Sequence, residues 1–208
     1  MNKTFRNGVP IYGNNAKMVI FLLHTGLRFG ELTALKWKNV HLNDNKIFIT
    51  ENIPIIKNRD KSLHKAYVLD NTTTKRKNSE RYVPLSNKAH AIIQYFYDNY
   101  GHKDDDLVFV SEKNTPANRR NVNRTLKGML VSAGCKIQNA SVHDLRHSFG
   151  SELIKQNVDI KVVSKLMGHA DITTTYNVYI HILDEQCCSA VDIFNAPDII
   201  TGMEKIIS

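Results

Sequence analysis

Three cysteines, Cys135, Cys187 and Cys188, are all that this 208-residue chain contains. They make no disulfide framework, and the adjacent Cys187 and Cys188 lack the two-residue spacing of redox and zinc pairs, so all three read as reduced thiols without chemistry. Long apolar runs are missing as well. The longest, around Met18 to Leu23, falls far short of the ~20 residues that a membrane span requires. The opening Met1-Asn2-Lys3-Thr4-Phe5-Arg6-Asn7 leads into no secretory apolar region or cleavage site. Together these absences exclude a disulfide-stapled secreted module and a membrane-embedded protein, and they place the expectation in the cytoplasm, with no membrane partner. Internal repeats and low-complexity tracts are absent too. Acids are the last shortage: 20 Asp and Glu stand against 28 Lys and Arg, a net charge of +8. Such a balance favours a polyanionic partner, a nucleic acid or an anionic surface.

What is present supports one globular unit. The apolar fraction is 42%, enough for a real core. After a polar lead-in through Asn15, Ala16 to Thr25 reads as a buried helix that Gly26 ends. A second short helix begins at Leu27-Arg28-Phe29-Gly30-Glu31-Leu32 and runs to about Trp37, with Leu32 and Leu35 on one face. Arg28 therefore sits at a tight junction between apolar segments, where a charge needs a partner; Glu31, three residues on, is available. Beyond the turn signal Asn43-Asp44-Asn45, Lys46 to Thr50, Ala66 to Leu69 and Arg81 to Leu85 read as strands. Between Lys57 and Arg81 lie eight basic residues against three acids.

Helical periodicity returns at Asn87 to Tyr100, and Leu107 to Val110 is a short extended segment. Asn118 to Ala133 is a further helix. The region from Lys113 to Lys136 holds six Lys and Arg and no acid. Within it Arg120, Arg124 and Lys127 follow i, i+4, i+7 and line one helix face, a pattern suited to phosphate. Ser141 or Asn139 caps a helix from Val142 to about Gln156, and Asp159 caps another from Ile160 to Met167 that Gly168 stops. The next segment, started by Asp171 or Thr173, carries Tyr176 and Tyr179. From Ile182 onward the chain turns acidic, with five acids and one lysine.

Between His143 and Tyr179, three imidazoles, a guanidinium and two candidate phenols fall within 37 residues. His143 and His147 at i, i+4 have a zinc-protease spacing, but Arg146 would set a positive charge beside the cation and Asp144 is a shorter base than the expected Glu. Phosphoryl transfer suits the set better. It needs an in-line nucleophile, donors for non-bridging oxygens and a proton for the leaving oxygen. His143 and Arg146 share a helix face, Arg offers a fork for two phosphate oxygens, His169 follows a glycine turn, and a tyrosine conserves bond energy as a phosphotyrosine ester.

Five segments in order, Thr25 to Leu32, the Lys75 to Leu85 hairpin, His143-x-x-Arg146, Leu166-Met167-Gly168-His169 and Tyr179, resemble the catalytic domain of tyrosine recombinases, in particular integrases of phages and conjugative transposons. The resemblance implies an α+β, mostly helical fold with a small antiparallel sheet or hairpin between residues 46 and 85, and an activity of site-specific DNA recombination. It implies that Arg28 and Arg146 clamp the scissile phosphate, His143 assists proton transfer, His169 hydrogen-bonds a non-bridging oxygen, Lys75 protonates the departing 5′-oxygen and Tyr179 forms a 3′-phosphotyrosyl link. No metal or nucleotide cofactor is implied. The implied partners are double-stranded DNA sites and further copies of the chain, four in a synaptic complex.

Some alternatives stay open. Lys77 shares the Lys75-Arg76-Lys77 tip, and counting back from Pro84 favours Lys75 if the tip has the longer integrase form; Lys77, like Arg120, Arg124 and Lys127, is otherwise expected to contact DNA. Tyr179 lies ten residues after His169 and before Ile180-His181, as the family pattern has it, whereas Tyr176 lies only seven after. Glu31 is assigned to orienting Arg28, and His147, His24 and His181 to packing or surface. The connection from Val40 to Lys75 is longer than the family's shortest hairpins, so an extra strand or hairpin is expected there. The expected organisation is a catalytic domain over 1–182 and a tail over 183–208 that packs in cis or on a neighbouring protomer. The helical core-binding domain that family members carry ahead of it is expected to be absent, which would leave half a clamp with salt-sensitive binding. The rivals are a catalytically silent DNA-binding remnant and a type IB topoisomerase-like activity.

Overall fold

The computed structural model describes residues 13–50, 55–57, 67–69, 80–100, 103–136 and 139–190. The first helix, α1 (Gly13–Thr25), carries core residues along one side: Met18, Phe21 and Leu22 are fully buried. It packs against α3 (Asn87–Asn99), α4 (Arg119–Ser132) and α5 (Val142–Lys155). Phe21, Phe96 and Phe109 meet there at ring separations of 4.7 and 5.1 Å. Gly26 ends α1 in the left-handed region, with its N–H on the Leu22 carbonyl at 2.9 Å. A Cβ at Gly26 would also lie 2.8 Å from the Phe149 Cε1 and closer still to Cδ1, so glycine is needed for conformation and for space.

The next helix, α2, is shorter than periodicity suggests: it spans Phe29–Ala34 and stops well before Trp37. Leu35 is extended, and its carbonyl takes the Val108 N–H at 2.9 Å, while Trp37 N–H goes to the Asp106 carbonyl. Pairing with the 107–110 segment thus competes successfully with local helix propensity. A single 3-10 turn at Trp37–Asn39 leads into the sheet.

That sheet has three antiparallel strands in the order β1 (Val40–His41), β2 (Lys46–Ile49), β5 (Arg81–Pro84). Two further strands, β3 (Ile55–Lys57) and β4 (Tyr67–Leu69), form a separate antiparallel pair between β2 and β5 in sequence, which is the extra hairpin expected from the long connection. Asn45 makes the β1–β2 turn at φ 53° and ties it to the end of β5, its side-chain amide donating to the Leu85 carbonyl at 2.8 Å. Alternation turns Ile47 and Ile49 inward from β2, and Arg81 and Val83 inward from β5. The register sets Ile49 opposite Arg81 and Phe48 opposite Tyr82.

A second, smaller core joins α5, α6 (Ile160–Met167) and α7 (Ile172–Ala190) through Ile154, Val163, Met167, Tyr179 and Ile182. Ser141 caps α5, Asp159 caps α6 and the Asp171 carboxylate accepts the Thr173 N–H at 2.9 Å at the start of α7. Helix α7 crosses residue 182 without a break, and Gln186 donates to the Ile154 carbonyl of α5. No helix among the described residues is long and apolar enough to cross a membrane.

Candidate active site

The two cores meet at the C-terminal end of α6, and the buried cations among the described residues, Arg81 and Arg146, converge there with partly exposed Arg28. Three successive carbonyls, those of Leu166, Met167 and Gly168, are each taken by a different guanidinium. Arg81 Nε donates to Leu166 at 2.7 Å, Arg146 Nη2 to Met167 at 2.5 Å and Arg28 Nη2 to Gly168 at 3.1 Å. A helix C-terminus is the end with unpaired carbonyls and partial negative charge, so cations are stabilised there. Gly168 adopts the left-handed C-cap (φ 66°, ψ 46°), and a Cβ on it would lie 2.7 Å from the Arg81 Cζ.

Arg28 occupies the N-cap of α2 in extended conformation. Glu31 holds it twice, accepting its backbone N–H at 2.9 Å and its Nη1 at 2.8 Å. The same carboxylate, only 1% exposed, accepts a bidentate pair from Arg81 at 2.9 and 3.1 Å. Burial works to raise the Glu31 pKa, but the hydrogen bonds and charge of Arg81 and the charge of Arg28 outweigh it and hold the carboxyl below its usual range. Glu31 thus orients Arg28, as the sequence indicated, and one further arginine as well.

Arg146 comes from the inner face of α5 and is 2% exposed, with Nη1 on the Gly26 carbonyl at 2.7 Å. Burial and then the repulsion of Arg28 and Arg81 lower its pKa to about 9, which leaves it charged at neutral pH. His143, one turn earlier, is exposed, with its ring 4.6 Å from that of His147. Its pKa is lowered by burial first and then by His147 and Arg146. His169 follows Gly168 directly, its Nδ1 2.7 Å from the Thr175 hydroxyl on α7. Burial and the charges of Arg146, Arg28 and Arg81 lower its pKa to about 4, so the ring is neutral at pH 7. When Thr175 donates to Nδ1, Nε2 carries the proton and is a hydrogen-bond donor.

Tyr179 is 1% exposed, whereas Tyr176 is 46% exposed. The Tyr179 hydroxyl rests 3.4 Å from the His147 carbonyl and 3.7 Å from the Met167 sulfur. Gly150 makes this seat: a Cβ there would lie 2.6 Å from the Tyr179 Cζ. Burial raises the phenol pKa, opposed by the Arg146 charge.

The structure therefore brings together Arg28, His143, Arg146, His169 and Tyr179 from α2, α5, the α6 end and α7. Lys75 and Lys77 lie outside the described residues. Arg120, Arg124 and Lys127 are all exposed on α4, away from buried Val122 and Leu126, as one basic face. Three neighbours of the site escaped the sequence reading. Arg81 was legible through alternation, since it shares parity with inward-facing Val83. Arg119, 5.9 Å over the Phe29 ring, contributes to the charge felt by His143, and its only signal was the acid-free run. Thr175 gave no signal among three consecutive threonines. Beside His169 opens a groove of about 900 Å³ between α6 and the outer sheet face, lined by Phe48, Tyr82, Lys161 and Lys165.

Residues 1–186 match the Phage integrase family. The chain belongs to that family. Among its curated relatives is the tyrosine recombinase XerC-like protein of Caldanaerobacter subterraneus subsp. tengcongensis, 26% identical over 88% of this chain and 50% of that protein. Another is the tyrosine recombinase XerD of Haemophilus ducreyi, 30% identical over 83% of this chain and 52% of that protein. This integrase-family chain thus spans about half the length of the curated relatives it matches. Among solved structures, the Tn1549 transposon integrase in complex with transposon right-end DNA superposes with a TM-score of 0.70 at 21% identity, covering 91% of this chain and 62% of that one. The XerA recombinase gives 0.63 at 22% identity, covering 88% and 57%. The fold is that of these recombinases.

Proposed function

We propose that this integrase-family domain cleaves and rejoins double-stranded DNA in the site-specific recombination of a mobile element, through a 3′-phosphotyrosyl intermediate. The observation that carries the reading is the convergence of Arg28 and Arg146, 118 positions apart in sequence, on one helix end beside a neutral imidazole and a tyrosine. Each guanidinium has five N–H donors; the carbonyls and Glu31 occupy a few, and the rest are available to the non-bridging oxygens of a phosphodiester. The electrostatic stabilisation is pre-organised, because the carbonyl and carboxylate contacts already fix the planes of both forks.

In the forward step the Tyr179 oxygen attacks phosphorus, the bond to the 5′-oxygen breaks, and a 5′-hydroxyl leaves. His143 accepts or relays the phenolic proton, His169 donates through Nε2 to a non-bridging oxygen, and Lys75 supplies the proton that the 5′-oxygen takes up. The reverse attack by a 5′-hydroxyl of the partner duplex closes the new strand and frees Tyr179. No metal or nucleotide is needed, since the bond energy is kept in the phosphotyrosine ester. With its hydroxyl seated between the His147 carbonyl and the Met167 sulfur, Tyr179 must leave this pocket to reach phosphorus. DNA binding, at paired sites and by four copies of the whole protein on the DNA of the cytoplasm, is the event that draws it out.

A nicked suicide substrate tests the reading. An enzyme gives a protein–DNA band that survives denaturation. Retarded DNA without such a band marks a silent DNA-binding remnant, and supercoil relaxation without paired sites marks a topoisomerase.

A further inference from the structure

We propose that Arg81 is a positioning residue of this phosphate site: it bolts the Glu31 carboxylate to the end of α6 so that Arg28 and His169 face one phosphate in fixed register. The inference rests on the recombinase reading above and assigns to a strand residue a task that the cleavage steps leave unfilled. Arg28 and His169 are carried by different elements, α2 and the α6–α7 connection, and their direct tie is the single bond from Arg28 to the Gly168 carbonyl. A lone charge-assisted hydrogen bond at 3.1 Å leaves the two free to rotate about it.

Arg81 supplies the missing constraints. Its Nη1 and Nη2 form a two-point fork on Glu31, the carboxylate that holds both the backbone and the side chain of Arg28. Its Nε takes the Leu166 carbonyl at 2.7 Å, three residues before His169. One planar group therefore fixes the distance and the angle between α2 and the α6 end. Its own base is rigid: Arg81 is 5% exposed at the side chain and lies in the β2–β5 register opposite Ile49. Gly168 closes the fit from the other side, since its missing Cβ is the space in which the Arg81 head lies. A lysine retains the charge but cannot make the fork and the Nε bond together, so the task is specific to arginine.

The test uses the full chain and Arg81→Lys, with Arg81→Gln as the second variant should the lysine chain lose its native circular dichroism. Single-turnover cleavage of the nicked suicide substrate is measured at saturating DNA, and the ring nitrogens of His169 are followed by 15N NMR in the free protein. The expected result is a DNA Kd within about threefold and a cleavage rate lower by roughly 10- to 100-fold, the cost of a small misplacement at a reacting centre. A substrate with a 5′-bridging sulfur, whose departure needs no proton, should not rescue the rate. The His169 resonances should move while those of remote His90 stay. Cleavage within twofold with unmoved His169 resonances overturns the proposal. A reference protein that forms no adduct refutes the recombinase reading instead, and the His169 resonances still decide whether Arg81 positions the ring.

Discussion

Gly150→Ala isolates the seat of Tyr179. Gly150 is buried in α5, where alanine should help by about 0.5–1 kcal/mol through helix propensity alone. The added Cβ would lie 2.6 Å from the Tyr179 Cζ and 2.9 Å from the Met167 sulfur, both well inside van der Waals contact. Overpacking of one methyl in a filled core costs about 1–3 kcal/mol. The difference is a net loss of about 0–2.5 kcal/mol, or several degrees in Tm at roughly 2–4 °C per kcal/mol for a chain of this size. The ring should be displaced toward solvent, relieving the burial that raises its pKa. NMR of chains carrying 13Cζ-tyrosine should then show the Tyr179 titration moving down toward the ordinary value. A variant that is more stable by the helix-propensity increment, with Tyr179 titrating as before, would mean that Gly150 does not hold the ring.

Three further outcomes follow from the same geometry. Glu31→Gln leaves two guanidiniums facing a neutral amide, so stability should fall by about 3–5 kcal/mol, as when one partner of a buried ion pair is removed; chemical denaturation measures it, and a loss under about 1 kcal/mol would contradict the shared-carboxylate account. DNA binding should take up protons at mildly acidic pH. His169 is neutral because three arginine charges add to burial and hold its pKa at about 4; a phosphate anion among those arginines raises it. Calorimetry in buffers of different ionisation enthalpy should find uptake near pH 5.5 that fades by pH 8, and His169→Asn should abolish it. Changing Arg120, Arg124 and Lys127 together to Ala should flatten the plot of log affinity against log salt by about 0.9 for each phosphate that these side chains neutralise; an unchanged slope would mean that this face of α4 is merely solvated.

The site was legible where residue type and local spacing determine position, and hidden where position comes from contacts between distant segments. Arg146 and His143 could be placed on one helix from the Ser141 cap and the residues that follow it, and the Gly168 stop was visible as a glycine at the end of an apolar period. The Glu31 tie to Arg28 was within reach because it closes over three residues. The second tie, Glu31 to Arg81, spans 50 positions, and only the inward parity of β5 hinted at it. The end of α2 shows the same effect: periodicity carried the helix to Trp37, but the carbonyl of Leu35 is used by Val108, far along the chain. No local preference reports a bond whose partner is so distant in sequence. The seat of Tyr179 was equally hidden, because it depends on a glycine in another helix.

The proposed mechanism requires that Tyr179 become covalently joined to DNA. Digestion of the suicide-substrate adduct and mass spectrometry of the nucleotide-bearing peptide test it most directly. The expected outcome is a 3′-phosphate ester on Tyr179, no adduct from Tyr179→Phe despite retained DNA binding, and a normal adduct from Tyr176→Phe. An ester on Tyr176, or an adduct that persists in Tyr179→Phe, would contradict it.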